Sequence, residues 1–398
     1  MTRAEDVVIV GAARTPQGKL GGALAALSAT DLGAVAIGKA LTTAGASGDA
    51  VDAVVMGQVV QAGAGQGPAR QAAIAAGIGW RAHATTVNKV CLSGLSAIID
   101  AARLLRSGEA SVVVAGGMES MTNSPHLLPK ARQGYRYGNA TVLDSVLFDG
   151  LTDAFSNAAM GLSTDRDTAA TYPISRERQD EIAASSHHRA HEAWEAGVFA
   201  AEVAAVTVSG RKGEVTVERD EGIRPQTTIE ALARLAPAFD KDGSITAGNA
   251  SQLSDGAAAV VLTTRSHAEE QGWQPLATLR AVGQVAGPDA SLHAQPANAI
   301  TQALGRQGWT LGELDHIEIN EAFAVVVAQS AVELGVEASV VNPHGGGISL
   351  GHPIGASGAR LAVHAAHQLH ARRAGRAAVA LCGGGGQGEA LLLEAEER

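Results

Sequence analysis

The sequence predicts a layered α/β protein made of two similar halves, the first of which carries a long insertion. Three observations lead to this prediction: an internal repeat, alternating helix and strand patterns in both copies, and a displaced final strand in the first copy. Two such halves are expected to pack about a pseudo-two-fold axis. Their equivalent helix N-termini would then face one shared cleft.

The repeat consists of two blocks. Residues 36–58 match residues 299–321, and each copy contains an amphipathic helix, a loop and a short strand that begins after an aspartate. Residues 92–117 match residues 356–384, and each copy contains a helix that opens on Ser-Gly and an Ala/Val-rich strand that ends in glycines. Agreement over both blocks indicates gene duplication.

The insertion is recognised from the last strand of each copy. In the second copy this strand, 388–396, follows the glycines directly. In the first copy the corresponding strand, 256–264, lies more than 130 residues after the glycines that end at 117. The intervening segment is richer in Arg, His, Tyr, Pro and Met, which is typical of a lid or ligand-binding excursion. The predicted domains are an N-terminal half at 1–117 plus 251–272, an inserted domain at 118–250, and a C-terminal half at 273–398.

Composition excludes several classes of function. The chain has 398 residues and a formal net charge of −10, which argues against a nucleic-acid or anionic-membrane partner. No apolar stretch is long enough to span a bilayer, and the charged N-terminal segment does not resemble a signal peptide. Two cysteines cannot form a disulfide framework, so we expect a reducing, cytoplasmic location.

Cys91 precedes a helix whose apolar residues keep a helical spacing. Unpaired N–H groups and the macrodipole at a helix N-terminus favour a thiolate, which makes Cys91 a candidate nucleophile. A small buried hydrophobe is the alternative. Asn320 and Glu321 end the repeated strand where the first copy has Gly57 and Gln58. They are candidates for holding a water and for general-base chemistry, or for an ordinary acidic helix start.

The segment "NPHGGGISLGHPIGASG" is the densest functional pattern. His352 lies between Gly and Pro just before the second repeated helix, so it is predicted to project toward Cys91 as a base. His344 and His364 have no comparable context. Cys382 follows a buried strand and precedes four glycines, a turn that would expose N–H groups for an oxyanion hole.

Cofactor motifs are missing from the sequence. His187 and His191 have the spacing of a metal pair, but a third ligand is not evident, and a solvated helix face is the preferred interpretation. Neither a P-loop nor a strand-to-helix G-x-G-x-x-G motif occurs. We therefore expect neither a metal nor a cofactor.

The motifs "NKVCLSG", "NEAF", "GHPIGASG" and "LCGGGGQG", in that order, resemble the thiolase family over essentially the whole chain. "GGMESMTNSP", "DGLTDAF" and "TAGNASQLSDGAAAVV" are similar to the same family. The resemblance implies the thiolase fold: duplicated βαβαβαββ halves in a five-layered αβαβα core with an inserted loop domain.

The resemblance also implies a role for each candidate. Cys91 carries the acyl group, His352 activates it, and Cys382 is the acid/base at the α-carbon of the second substrate. Asn320 holds a water that forms one oxyanion hole with His352, and the N–H groups of Cys91 and Gly384 form the other. Such a site meets the needs of a Claisen condensation without metal or cofactor.

The implied reaction is the reversible, ping-pong conversion of two acetyl-CoA to acetoacetyl-CoA and CoA. The near alternative is cleavage of longer or branched 3-ketoacyl-CoA. NEAF argues against the family branch with His-Asp-Cys-Phe here, and the second cysteine argues against ketoacyl synthases. Two alternatives come from other classes: a cysteine hydrolase would need water at the acyl-enzyme, and an inactive CoA-binding protein would need no second thiol. A burst of free CoA from acetyl-CoA, with the acetyl group retained on the protein, would count against both.

The family's substrate contacts are matched with two departures. Ala159 stands where short-chain members often carry histidine, and 292–296 replaces a Met-Gly-x-Gly-Pro loop. A homotetramer, a dimer of dimers, is expected. The residues implied to bind the substrate are Arg224 near the CoA nucleotide, and Ser251, Ala247, Phe239, Met160, Leu151, Phe323 and Leu292 along the pantetheine and acyl tunnel.

Overall fold

The computed structural model describes residues 5–210 and 213–396. The strands within these ranges are β1 Val7–Arg14, β2 Gly18–Lys19, β3 Ala53–Gly57, β4 His83–Val87, β5 Val112–Ser120, β6 His126–Leu127, β7 Leu143–Asp144, β8 Val206–Gly210, β9 Gly213–Val217, β10 Ser254–Thr264, β11 Ala277–Ala286, β12 His316–Ile319, β13 Arg376–Gly383 and β14 Gln387–Glu394. The α-helices are α1 Ala29–Ala44, α2 Pro68–Ala75, α3 Ser93–Ser107, α4 Met160–Ala170, α5 Arg176–Glu195, α6 Ile229–Ala233, α7 Arg265–Gln271, α8 Gln295–Gln307, α9 Ala324–Leu334 and α10 Ser357–Arg372.

The duplication predicted from the sequence is visible in the strand pairing. In the first half, β1 pairs antiparallel with β10, β10 antiparallel with β5, and β5 parallel with β3. In the second half, β11 pairs antiparallel with β14, β14 antiparallel with β13, and β13 parallel with β12. A short antiparallel contact between β1 and β11 joins the sheet of the first half to the sheet of the second along one edge.

Three apolar clusters divide the core into layers. The central cluster combines α3 and α10 with the inner faces of strands from both halves. A second cluster packs α1 and α2 on the outer face of the first half, and a third packs α8 and α9 on the outer face of the second. The resulting order is αβαβα, so the predicted five-layered fold is confirmed.

The two Ser-Gly sequences mark where α3 and α10 meet. A Cβ on Gly94 would lie 2.9 Å from the backbone nitrogen of Ala359, and a Cβ on Gly358 would lie 2.6 Å from that of Leu95. Both distances are below ordinary contact, so only glycine lets the helices approach this closely. The contact brings the two helix N-termini together, as the repeat predicted.

The inserted segment is fastened to the core by buried charges. Arg14, at the end of β1, contacts Glu202 at 2.6 Å and Asp220 at 2.7 Å, and all three side chains are fully buried. Removing one member would leave an unpaired charge in the interior, at a typical cost of about 3–5 kcal/mol. Within the described residues, the helices are too short or too polar to cross a membrane.

Candidate active site

Cys91 lies in a tight turn between β4 and α3. Val90 has φ 51°, a left-handed conformation that is costly for a β-branched residue. Ser93 holds the turn, because its Oγ donates to the Val90 carbonyl at 2.6 Å and accepts the Lys89 N–H at 2.8 Å. The strained turn places Cys91, which is only partly buried, at the N-terminus of α3.

The surroundings of Cys91 favour the protonated thiol over the thiolate. Burial raises its pKa to about 12, against the lowering effect of its own N–H and that of Gly384, and Glu119 raises it further. The sequence predicted that the helix N-terminus would favour a thiolate. Desolvation outweighs that effect here, so Cys91 needs a base to become a nucleophile.

His352 is buried and oriented by Ser357. Its Nδ1 lies 2.5 Å from Ser357 Oγ, and that hydroxyl donates to the Pro353 carbonyl at 2.9 Å. Because the hydroxyl hydrogen is already used, Oγ must accept the Nδ1–H, which leaves the lone pair on Nε2. Burial, followed by the charge of Arg360, lowers the His352 pKa to about 4. The imidazole is therefore neutral at neutral pH and can act as a base.

Asn320 follows β12 and faces the same imidazole. Its Nδ2 lies 3.4 Å from His352 Nε2, and its backbone N–H donates to the Ala380 carbonyl at 3.0 Å. Its buried Oδ1 has no hydrogen-bond partner in the described part of the chain. An unsatisfied buried acceptor beside a histidine suits an ordered water.

Cys382 is buried at the end of β13. Burial and then the neighbouring Cys91 raise its pKa well above its ordinary value. The glycine turn that follows is sterically required, because Gly386 has φ 66° and a Cβ there would lie 1.8 Å from the Asp289 carbonyl oxygen. This turn places Gly384 beside the Cys91 turn, because a Cβ on Gly384 would lie 3.4 Å from Cγ1 of Val90.

The structure brings the five predicted catalytic residues together at the junction of the halves. The Gly384 N–H lowers the Cys91 pKa, Cys91 raises the Cys382 pKa, and Asn320 Nδ2 lies 3.4 Å from His352 Nε2. Ile354, two residues after His352, packs in the apolar cluster that also includes Cys91. The first half supplies Cys91, and the second half supplies the other four.

Two supporting residues were not predicted from the sequence. One is Ser357, whose only signal was its match to Ser93 in the repeat. The other is Glu119, a fully buried carboxylate that accepts N–H groups from Val59 at 2.9 Å and Gly355 at 2.9 Å. Burial raises the Glu119 pKa to about 7, although these N–H groups lower it. Glu119 thereby ties the His352 loop to the first half.

Glu321 is a structural anchor in this fold. It is buried and accepts hydrogen bonds from Ser186 Oγ at 2.6 Å, Asn342 Nδ2 at 3.0 Å and the Ile348 N–H at 3.0 Å. Through these hydrogen bonds the Glu321 carboxylate holds the glycine-rich loop before His352 in place. General-base chemistry by Glu321 therefore finds no support in its surroundings.

The solvated helix face predicted for His187 and His191 is wrong for His187. This side chain is only 2% exposed, and its Nδ1 accepts the backbone N–H of Arg224 at 3.2 Å. His191 is half-buried. His187 thus supports the segment that carries Arg224, one of the residues implied to bind CoA.

Five of the predicted substrate-binding residues form an apolar wall near the two cysteines. Met160, Leu292 and Phe323 share an apolar cluster with Cys382, and Phe239 packs edge-on against Phe323 with ring centroids 6.3 Å apart. The remaining predicted contacts are Leu151 beside the Cys91 cluster, Ser251 hydrogen-bonded through its N–H to Ala322, and Ala247 and Arg224 exposed at the surface.

The fold and site define a duplicated α/β protein with two thiols at the junction of its halves. Family models described as the N-terminal and C-terminal domains of thiolase match residues 7–266 and 273–395. The chain belongs to the thiolase family.

Individual relatives match over almost their whole length. A probable acetyl-CoA acetyltransferase of Mycolicibacterium smegmatis is 55% identical over 97% of this chain and 100% of its own. An acetyl-CoA acetyltransferase of Cupriavidus necator is 46% identical over 98% of this chain and 99% of its own. The crystal structure of the Bacillus anthracis acetyl-CoA acetyltransferase has a TM-score of 0.95 and 39% identity, covering 98% of this chain and 99% of that one.

Proposed function

We propose that the protein is an acetyl-CoA C-acetyltransferase that reversibly condenses two acetyl-CoA into acetoacetyl-CoA and CoA. The observation that carries this proposal is the meeting of the segments that bear Cys91 and Cys382. A Cβ on Gly383, beside Cys382, would lie 2.6 Å from Cγ of Leu92, and a Cβ on Gly384 would lie 3.4 Å from Cγ1 of Val90. The activities named for the Mycolicibacterium, Cupriavidus and Bacillus relatives support it. No cofactor takes part in this proposal.

In the first half-reaction, His352 Nε2 takes the thiol proton as Cys91 Sγ attacks the thioester carbonyl. The negative charge on the carbonyl oxygen is stabilised by the N–H groups of Cys91 and Gly384. The carbon–sulfur bond to CoA then breaks, and the departing thiolate receives a proton from Cys382. The products are acetyl-Cys91, free CoA and a Cys382 thiolate.

In the second half-reaction, the Cys382 thiolate removes a proton from the α-carbon of a second acetyl-CoA. Its raised pKa makes this thiolate a stronger base than an ordinary one. The enolate oxygen is stabilised by His352, protonated in the first half-reaction, and by a water on Asn320. The carbanion attacks the acetyl group, a carbon–carbon bond forms, and Cys91 leaves and recovers its proton from His352.

Cleavage of longer or branched 3-ketoacyl-CoA is the second candidate, and Ala159 favours it. This partly buried alanine precedes Met160 in the wall around Cys382, where its methyl group leaves more room than a histidine would. We expect acetoacetyl-CoA to be cleaved together with slightly longer chains. Thiolysis rates over a ladder of chain lengths measure the preference, and strict rejection beyond four carbons would exclude this candidate.

The decisive experiment separates the two thiols. Cys91→Ala should abolish both acetylation of the protein by acetyl-CoA and turnover. Cys382→Ser should still acquire an acetyl group on Cys91, yet lose condensation by about 10²–10⁴-fold, the usual contribution of general acid–base catalysis. Mass spectrometry of the trapped protein locates the label. An acetyl group on Cys382, or near-normal condensation by Cys382→Ser, would contradict the proposal.

The cellular setting follows from the same proposal. Two free cysteines with catalytic roles must stay reduced, which favours the cytoplasm.

A homotetramer made of two dimers is the proposed assembly. Sedimentation equilibrium at micromolar concentration would measure it.

A further inference from the structure

A second cluster of chemically active side chains lies outside the active site. His316 and Glu318 on β12 and His364 on α10 each offer one metal-ligating atom, and these atoms lie within 4.8 Å of one another. All three side chains are buried, with exposures of 2%, 0% and 1%. Side chains from a strand and from a helix thus meet in one small buried volume.

The side chains have unused ligand atoms. Nε2 of His316 lies 3.0 Å from Oε1 of Glu318, but the two groups are not aligned as a hydrogen bond requires. Both ring nitrogens of His316 and Oε1 of Glu318 lack a hydrogen-bond partner in the described structure. Unsatisfied buried polar atoms of this kind are rare and costly, and a bound cation would satisfy them.

His364 has the surroundings of a metal ligand. Its Nδ1 lies 2.7 Å from Oε2 of Glu202, so the carboxylate accepts the Nδ1–H and leaves the lone pair on Nε2. A carboxylate behind a histidine is the usual second contact of metal-binding imidazoles. That Nε2 lies 2.9 Å from Nδ1 of His344, a half-buried residue on the glycine-rich loop.

We propose that His316, Glu318 and His364, with His344 as the fourth ligand, bind a divalent transition metal of the Zn²⁺ class. Three imidazoles and one carboxylate suit Zn²⁺ chemically. Its bonds of about 2.0–2.1 Å require modest inward movement of ligand atoms that are now up to 4.8 Å apart. His344 coordinates after its proton moves from Nδ1 to Nε2, and its partial exposure gives the metal an entry route.

The buried charges around the cluster favour a cation. Glu318, Glu202 and Asp220 contribute three carboxylates, whereas Arg14 and Arg360 contribute two guanidinium groups. The carboxylates exceed the guanidinium groups by one charge, which leaves room for one further positive charge beside His316 and His364. A metal here would connect β12, α10 and the loop before His352, so its role would be to stabilise the fold.

Cobalt titration of the full-length, chelator-treated protein tests the site. We expect one Co²⁺ per chain, with the intense visible bands of tetrahedral coordination and displacement by Zn²⁺. Cys91 and Cys382 could also bind metal, but thiolate ligation adds a near-ultraviolet charge-transfer band. The proposed site has no sulfur, so that band should be missing.

Variants identify the ligands. His316→Leu and Glu318→Gln should each weaken binding by at least about 100-fold, and Glu202→Gln by about 10–100-fold through the orientation of His364. The matched control is His367→Gln, because His367 is also a buried histidine of α10 but contacts the Ala12 carbonyl instead. It should bind Co²⁺ like the unmodified chain.

Two results would overturn the proposal irrespective of how the variants fold. One is failure of the unmodified protein to bind Co²⁺ or Zn²⁺ at micromolar concentration. The other is a spectrum that carries the thiolate charge-transfer band. Equal affinity in His316→Leu and the unmodified chain would equally exclude these ligands.

Discussion

Replacing Ser357 by alanine tests whether His352 acts through a fixed tautomer. The change removes the acceptor of the Nδ1–H at 2.5 Å and leaves a buried donor without a partner. An unsatisfied buried polar group costs about 1–3 kcal/mol. If the imidazole escapes this cost by moving its proton to Nε2, the lone pair needed by Cys91 is lost. At 1.36 kcal/mol per tenfold, we expect kcat/KM to fall by about 5- to 160-fold.

The assay is thiolysis of acetoacetyl-CoA, followed by loss of its enolate absorbance over a range of pH. The fall should appear mainly in kcat, because Ser357 contacts His352 and not the substrate. Ser357→Thr keeps a hydroxyl and should recover much of the activity. Thr263→Val is a suitable control, since it removes a buried hydroxyl that donates to the Ser111 carbonyl at 2.7 Å, far from the site.

The reasoning about the tautomer would be refuted by a Ser357→Ala enzyme with at least half the normal kcat and an unchanged pH profile. An equal loss in Thr263→Val would instead attribute the effect to general destabilisation. Urea unfolding of both variants separates these outcomes, because similar midpoints exclude a difference in stability as the cause.

Three further predictions concern the substrate, the base and the helix contact. Arg224→Ala should raise KM for CoA thioesters far more than for pantetheine thioesters that lack the nucleotide; equal effects would place Arg224 outside the CoA site. Acylation of Cys91, measured by stopped-flow release of CoA, should lose its base only as pH falls toward about 4, where His352 becomes protonated; a midpoint near 6.5 would contradict this. Gly358→Ala should destabilise the fold by about 1–3 kcal/mol in urea, whereas Gly38→Ala, which has open space around the new Cβ, should not.

Much of the fold could be predicted from the sequence, because each repeated helix and strand is identified from residues that are neighbours along the chain. Helix α3 begins at Ser93 and α10 at Ser357, the two serines of the repeated Ser-Gly, and β10 and β14 occupy equivalent places. Side-chain periodicity and turn residues carry this information over short stretches of chain. The catalytic candidates were recognised for the same reason, since each sits in a distinctive local motif.

Features that depend on distant parts of the chain could not be predicted. The thiol of Cys91 is governed by burial that the helix N-terminus alone does not reveal. The anchoring by Glu119 joins β5 to a loop more than two hundred residues later. His344 and His364 looked unremarkable in the sequence, because the fold alone brings them beside His316.

The matched serines at the starts of α3 and α10 show that two duplicated halves fused in one chain can take on different roles. Ser93 secures the turn of the nucleophile, and Ser357 secures the imidazole, by hydroxyl contacts at equivalent positions. Two identical chains related by a two-fold axis must present the same group from both sides. Once the copies are joined in one chain, each can change independently, so that sulfur approaches from one side and a base from the other. The serine contact shared by the two halves keeps the scaffold symmetric. The loops that carry Cys91 and His352 differ, and this difference provides the two chemical groups that the reaction requires.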